Sequence, residues 1–430
     1  MNSPVSQWRE TRWLHRFALL TALATFGLLG IGGLVTSHGA GMAVPDWPTS
    51  YGYNMFFLPI HFWKGGVFYE HTHRLWATVV GILTVALARW LGGAGSRKPL
   101  AVVGLVEVLA GFLLLKRYPD LSGAGHFLTG IGVIVVLAAA IWARNEPAPR
   151  PLPMLGWLAF AAVQLQGLLG GLRVVLFKDQ IGIFHAVLAQ MFFVLLCAIG
   201  LLTSKRWGKV ISSRDETGAG RAQRVPTEAW RGMAWMIACT TGLMLLQLGL
   251  GAAMRHQHAG LAIPDFPLAY GKLWPATDPQ SIAHYNQQRI EVTSAGPITS
   301  LQIQLQMAHR IVAVLIVAGV AACVWRVRRA VKGSAGESHR FIARLSRVWL
   351  GILLVQISLG ALTIWTNMAA DIATAHVLGG ALSLATGAIL SIVCFQSPEY
   401  ERATHVLSGP AAGAQVVRNI ATPPSATAQL

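Results

Sequence analysis

The chain is 430 residues long, 54% hydrophobic and only 12% charged, with a mean hydropathy of +0.52. An average globular chain is ~25% charged, so a soluble fold could not cover this much apolar surface, and the mass is expected to sit in lipid. The excess of 34 Lys+Arg over 17 Asp+Glu gives a formal charge of +17. With no soluble domain to carry a basic face, that charge reads as topology-setting loop charge, not as a nucleic-acid surface.

A bilayer crossing takes ~20 apolar residues. Ten stretches come close, at 17–37, 74–93, 100–116, 123–143, 153–171, 182–203, 230–251, 308–326, 347–365 and 372–395. The first follows Arg9, Arg12 and Arg16 as a signal peptide would, but its apolar run is too long and lacks a clean small-residue cleavage site. It is expected to be a retained helix. Glu10, soon after the first arginine, speaks against a mitochondrial presequence.

The linkers 204–231 and 326–347 carry seven Lys/Arg each, whereas 38–72 holds only Lys64 and 366–371 holds none. By the positive-inside tendency both termini and both basic linkers are expected in the cytoplasm, with the loops 38–72 and 252–303 outside. The segment after Ser397 is small, polar and proline-containing, a composition that cannot bury a core. Cys197, Cys239, Cys323 and Cys394 all lie inside apolar runs, which indicates neither a loop disulfide nor a thiolate metal cage.

The chain contains an internal repeat. GMAVPDWPTSYG (41–52) recurs as GLAIPDFPLAYG (260–271) at an offset of 219, and HRLWATVVGIL (73–83) as HRIVAVLIVAG (309–319) at 236. LQGLLGGL (165–172) recurs as VQISLGAL (355–362) at 190, and HAVLAQ (185–190) as HVLGGA (376–381) at 191. The rise of 17 between the first two offsets makes the second outward loop the longer one. The fall of 46 places two extra helices between about 90 and 150 in the first half, matching 100–116 and 123–143.

The expected fold is therefore an all-α polytopic membrane protein of about ten transmembrane helices: two parallel four-helix repeats plus an inserted hairpin. The N-terminal bundle covers 1–208 with the hairpin at about 98–146, a cytoplasmic linker covers 209–228, the C-terminal bundle covers 229–397 and a disordered cytoplasmic tail covers 398–430.

Four of the fourteen histidines obey the repeat. His73, His185, His309 and His376 each open an outward-to-inward helix near the outer membrane boundary, two in each half. Two imidazoles on neighbouring helices leave a zinc site incomplete, but suffice as axial ligands of a haem built between bundle helices. Each half is thus a candidate haem site. A lone interfacial histidine is more often a headgroup contact or a satisfied core group; four related by a repeat are not. His38, His61, His71, His256, His258 and His284 have no repeat partner, and His126 opens the second inserted helix.

Arg74 and Arg310 follow repeat-matched histidines and are candidates for a haem propionate or a lipid phosphate. Glycines beside Gln166 and at Gly170, Gly171 and Gly360 permit close helix approach and leave room for a flat ring. Glu70 stands three residues before His73, on its face of the helix, and Gln306 takes that place before His309. The half with the carboxylate is expected to do chemistry and the other to carry electrons. Glu107 lies within an inserted helix, where a buried hydrogen-bonded role is the simpler expectation.

The run EHTHR at 70–74, PDWP at 45–48, PDFP at 264–267, LQGLLGGLRV at 165–174, QMAHR at 306–310 and the HAVLAQ/HVLGGA pair together resemble the heme A synthase family, over nearly the whole chain apart from insert, linkers and tail. The resemblance implies an inner-membrane oxidoreductase of cytochrome oxidase assembly that converts the C8 methyl of heme O to the formyl group of heme A. It implies that His73 and His185 flank the substrate haem, that Glu70 is the essential carboxylate, and that His309 and His376 hold a resident heme b. It also implies heme O synthase and cytochrome c oxidase assembly factors as partners, and leaves room for a homo-oligomer.

Some members carry a cysteine pair in the first outward loop, and residues 38–72 contain no cysteine. The inserted hairpin is a second departure. Three alternatives stay open from the residues alone: a bis-histidine electron-transfer cytochrome, a haem-handling assembly factor without turnover, and a secondary transporter. The last would place its polar residues at the bilayer midplane.

Overall fold

The computed structural model describes residues 12–119, 122–140, 147–208, 227–288, 296–332 and 337–396. The tail at 398–430, nearly all of the linker 209–228 and residues 120–121 in the turn of the inserted hairpin lie outside the described residues. The described residues form eleven α-helices: α1 Arg12–Ser37, α2 Gly65–Gly92, α3 Arg97–Arg117, α4 Ser122–Ala140, α5 Leu152–Leu176, α6 Asp179–Leu202, α7 Thr227–His256, α8 Pro279–Gln288, α9 Ser300–Ala330, α10 Glu337–Trp365 and α11 Ala370–Phe395.

Among the described residues nine segments are long and apolar enough to cross a membrane. One of them, Gly65–Arg117, joins α2 and α3 through a single 3-10 turn at Gly93–Ser96. That near-continuity explains why ten expected stretches become nine segments. The protein is a polytopic, all-helical membrane protein. Its outer faces are apolar: Leu105, Leu109 and Phe112 of α3 and Val314 and Leu315 of α9 are exposed. In water such faces would be aggregation surfaces; against lipid tails they are matched.

Several helices run past their apolar cores. The apolar stretch at 308–326 becomes Ser300–Ala330, and that at 347–365 becomes Glu337–Trp365. At the start of α9 the reason is local. Thr299 accepts from the Gln302 N–H while the Gln302 side chain accepts from the Thr299 N–H, so a capping box satisfies the free N–H groups of a polar first turn.

The helices form two rings of four. In one, α1 packs on α2, α2 on α5, α5 on α6 and α6 on α1; in the other, α7 packs on α9, α9 on α10, α10 on α11 and α11 on α7. The rings join through α1–α11, α6–α7 and α6–α11. The inserted pair α3–α4 lies outside the first ring, against α2. Its helices approach closely because Gly104 faces the Gly132 carbonyl and Gly111 faces the Gly125 carbonyl, positions where any Cβ would overlap backbone.

The close-packed core lies toward one end of the rings. Leu14 and Ala18 at the start of α1 meet Leu87 and Leu91 at the end of α2, Ile199 at the end of α6 and Trp230 at the start of α7. Val327, Trp349 and Val393 complete that end. The opposite end carries the two long loops and all four repeat-matched histidines.

Candidate haem sites

The two loops are built alike. Asp46 accepts from the N–H groups of Tyr51 (2.6 Å) and Gly52 (2.9 Å), and Asp265 from those of Tyr270 (2.7 Å) and Gly271 (2.8 Å). Both tyrosines and both glycines have positive φ; the glycine is the residue that takes this conformation without strain. Burial acts to raise the pKa of Asp46, but hydrogen bonds from Thr49, Gly52 and Tyr51 outweigh it and hold the carboxyl below its ordinary 3.8. The loop after α7 is longer because it contains α8, whose Tyr285 stacks on Tyr270 at 3.6 Å.

Each loop is pinned to the helix that carries a histidine. Glu70 is buried (4% exposed) and accepts from the Val44 N–H at 2.8 Å through Oε2 and from Arg74 at 2.7 Å through Oε1. Gln306, also buried, accepts from the Ile263 N–H at 2.7 Å and returns its amide to the carbonyls of Gly260 and Ile263. The anchoring bond is thus common to both halves, while the negative charge belongs to the first alone.

Arg74 donates to the carbonyls of Val44, Asp46 and Thr49, and Arg310 to those of Asp265 and Leu268. Both guanidinium groups tie down the loops, which neither a propionate nor a lipid phosphate reading of the sequence anticipated. Arg310 keeps a buried Nε with no partner. His71 is buried beside Ser50 (3.3 Å) and Trp63, a further loop contact.

His73 lies on α2, His185 on α6, His309 on α9 and His376 on α11, each six to nine residues past the first residue of its helix. At 1.5 Å per residue that is about 9–14 Å along the axis. Each histidine thus lies about two turns in from the N-terminal end of its helix.

The partners are not on neighbouring helices. In each ring the two histidine-bearing helices stand diagonally opposite, and each pair is still close enough for the rings to interact electrostatically, His73 with His185 and His309 with His376. Helix order around a ring cannot be read from hydropathy, so the diagonal placing of each pair is visible only in the packed structure.

Every histidine faces a glycine. A Cβ at Gly32 would lie 3.2 Å from His73 Nε2, one at Gly170 3.3 Å from His185 Cε1, one at Gly251 3.3 Å from His309 Cε1, and one at Gly360 3.0 Å from His376 Cε1. These glycines are repeat-related at offsets of 219 and 190. Gln166 donates to the His185 carbonyl (3.0 Å) and Gln356 to the His376 carbonyl (2.8 Å), while Gln247 donates to that of His309 (3.0 Å).

All four imidazoles are half-buried. Nδ1 of His185 and of His309 is buried with no hydrogen-bond partner, whereas Nδ1 of His376 lies 3.2 Å from the Gln356 carbonyl. Among the described residues no group of three or more His, Cys, Asp or Glu converges. Two imidazoles across a helical ring, backed by glycine and leaving ring nitrogens unsatisfied, fit the axial needs of a haem better than any cage for a bare metal ion. His73 and His185 would hold one haem, and His309 and His376 the other.

Three features escaped sequence reasoning. Gly32 and Gly251 share the 219 offset, a signal that was available. Arg173 sits one turn beyond Gly170, against Gly41 of the first loop, with His73, His185, Glu70 and Asp179 in its electrostatic reach. At the seam of the two rings, His256 packs on Gly182 with Nδ1 3.9 Å from Asp179, and Arg255 donates to Ser37 at 2.5 Å. The other unmatched histidines lie apart: His38 stacks on Tyr69, His61 is tilted against Phe62, His284 lies near Tyr285, His258 closes the end of α7, and His126 bonds the Ser122 carbonyl. Glu107 accepts from Gln164 at 2.6 Å, joining the inserted hairpin to α5.

Residues 127–387 match the family model described as COX15-CtaA, cytochrome oxidase assembly protein. The matched range holds His185, His309, His376 and Arg173, and begins after Glu70 and His73. Heme A synthase of Beijerinckia indica subsp. indica is 25% identical over 310 residues, covering 65% of this chain and 76% of that protein.

Proposed function

The chain belongs to the COX15-CtaA cytochrome oxidase assembly family, the heme A synthase family, and from that premise we propose that it oxidises the C8 methyl of heme O to the formyl group of heme A. The observation that carries the reading is the pair of diagonal histidine couples, each imidazole backed by a glycine. The recurrence of loop, anchor, glutamine and glycine in the same order, at offsets of 219, 236 and 190, supports two duplicated four-helix units, each with one haem.

The N-terminal unit takes heme O as substrate between His73 and His185. Conversion of the methyl to the hydroxymethyl adds water and removes two protons and two electrons, the electrons passing to a redox acceptor outside this chain. A second round gives the gem-diol, which loses water to leave the aldehyde. Removing electrons from the methyl builds positive charge beside the macrocycle. Glu70 is a buried anion already oriented by Arg74 and the Val44 N–H, so it stabilises that charge without reorganising and can accept a proton as water adds. Gln306 cannot do either, which assigns the chemistry to the first half.

His309 and His376 would hold heme b, which supplies one-electron transfer when bound. The basic linkers support cytoplasmic termini, with the haem sites toward the outer face of the cell membrane. Heme O synthase is the proposed source of substrate and the oxidase assembly machinery the recipient.

The test is to purify the protein from cells that make heme O and extract its haems. Heme A with the intact protein and none with Glu70→Ala supports the enzyme. Heme b alone, with added heme O never converted, favours a bis-histidine electron carrier. No haem at all defeats both readings.

A further inference from the structure

Arginines near these sites differ in one respect. Arg74 is committed to three carbonyls and a carboxylate, Arg310 to two carbonyls, and Arg255 to Ser37. The guanidinium of Arg173, by contrast, makes no hydrogen bond and no ion pair with any described residue, although it is half-buried between helices. A cation so placed costs free energy unless something pairs with it.

Its surroundings define what that partner can be. Arg173 lies on α5 three residues after Gly170, so it shares the helix face that backs His185. Its terminal nitrogens come within 2.9 and 3.0 Å of the Cβ that Gly41 lacks, which places the group under the first loop. Glu70 and Asp179 act on it electrostatically without touching it. In the second half the residue at offset 190 is Thr363, whose hydroxyl is spent on the Leu359 carbonyl.

We propose that Arg173 binds a carboxylate of the porphyrin held between His73 and His185, and thereby sets the rotation of the ring about its iron. This inference rests on the reading of the N-terminal half as a haem site. Two axial imidazoles fix the ring plane but leave the macrocycle free to turn, so they cannot choose among its methyl groups. A planar fork that engages one propionate at the edge removes that freedom. With Glu70 fixed on α2 and Arg173 fixed on α5, one ring edge is pinned at the cation and a defined methyl is presented near the anion. At the matching place in the second half stands Thr363 instead of an arginine, as befits a haem whose substituents do not react.

The experiment uses full-length protein from cells lacking heme O, with its C-terminal haem in place. It is titrated with hemin and with hemin dimethyl ester, following the Soret band that disappears in His73→Ala. Intact protein should bind the free acid about tenfold or more tighter than the diester, the worth of a charge-assisted hydrogen bond. Arg173→Met should bring the two probes within about twofold of each other, and Arg173→Lys should keep part of the preference.

Retention of the C-terminal haem reports that a variant is folded. If the methionine variant fails that check, the lysine variant carries the comparison. Equal affinity of intact protein for both probes, or a preference that survives Arg173→Met, overturns the proposal while leaving the haem site standing. If neither probe gives a His73-dependent band, the haem reading falls and the proposal with it. If anionic lipid copurifies with intact protein but not with Arg173→Met, while the probes bind equally, the guanidinium serves a headgroup instead.

Discussion

Gly360→Ala tests the glycine-backed imidazole most directly. The added methyl would stand 3.0 Å from His376 Cε1, against 3.4–4 Å for ordinary contact, so the ring must give by a few tenths of an ångström. A side chain pushed off its rotamer costs about 1 kcal/mol, or roughly fivefold in affinity for whatever the imidazole ligates. The fold itself should not suffer, since alanine favours a helix over glycine by up to ~1 kcal/mol. Gly351 lies on the same helix with nothing within 4 Å of its Cβ position, so Gly351→Ala carries the same helix gain without the contact. The assay is haem retention: absorbance of the bound haem during stepwise capture by excess apomyoglobin, beside a thermal melt. Gly360→Ala should release its haem about fivefold more readily than Gly351→Ala, with the melting temperature unchanged or raised. Equal retention in the two variants would refute the idea that these glycines make room for a working imidazole. The same change at Gly251, where the gap is 3.3 Å, should have the smaller effect.

Three other outcomes follow from the same geometry. Glu70→Gln should keep the first loop folded, because Gln306 makes the equivalent bond beside Arg310, yet should yield no heme A; a fall in melting temperature matching that of Glu70→Ala would show the charge to be structural. Gln356→Leu removes one donor to the His376 carbonyl and should lower stability by about 1 kcal/mol, measured by denaturation in detergent, with the haem spectrum of the C-terminal site shifted and that of the N-terminal site intact. Asp46 has its folded pKa held below 3.8, so the loop stability it contributes is present above that value and lost as pH falls through the lower folded value. Proteolysis of the first loop should rise on acidification in that window, and Asp46→Asn should abolish the pH dependence.

The sequence by itself determined the class and the helices. Apolar stretches of bilayer length leave the backbone no alternative to helix in lipid. The offsets exposed His73 with His309, His185 with His376, and Glu70 with Gln306, since duplicated contacts keep their spacing. The same arithmetic located the hairpin that the structure places as α3 and α4.

What it did not determine is which helix stands beside which. A hydropathy pattern says that a helix has an apolar face, not what that face meets, so the diagonal placing of each histidine pair became visible only in the rings. Helix length was hidden for a related reason: the capping box at Thr299 lets α9 begin eight residues before its apolar stretch at 308–326. The arginines depended most on tertiary structure. Arg74, a candidate for a propionate or a lipid phosphate, is bound to its own loop, while Arg173, one residue in an apolar run, pairs with no described residue. A guanidinium's role is set by the acceptors within about 3 Å of it, and those come from segments far apart in the chain.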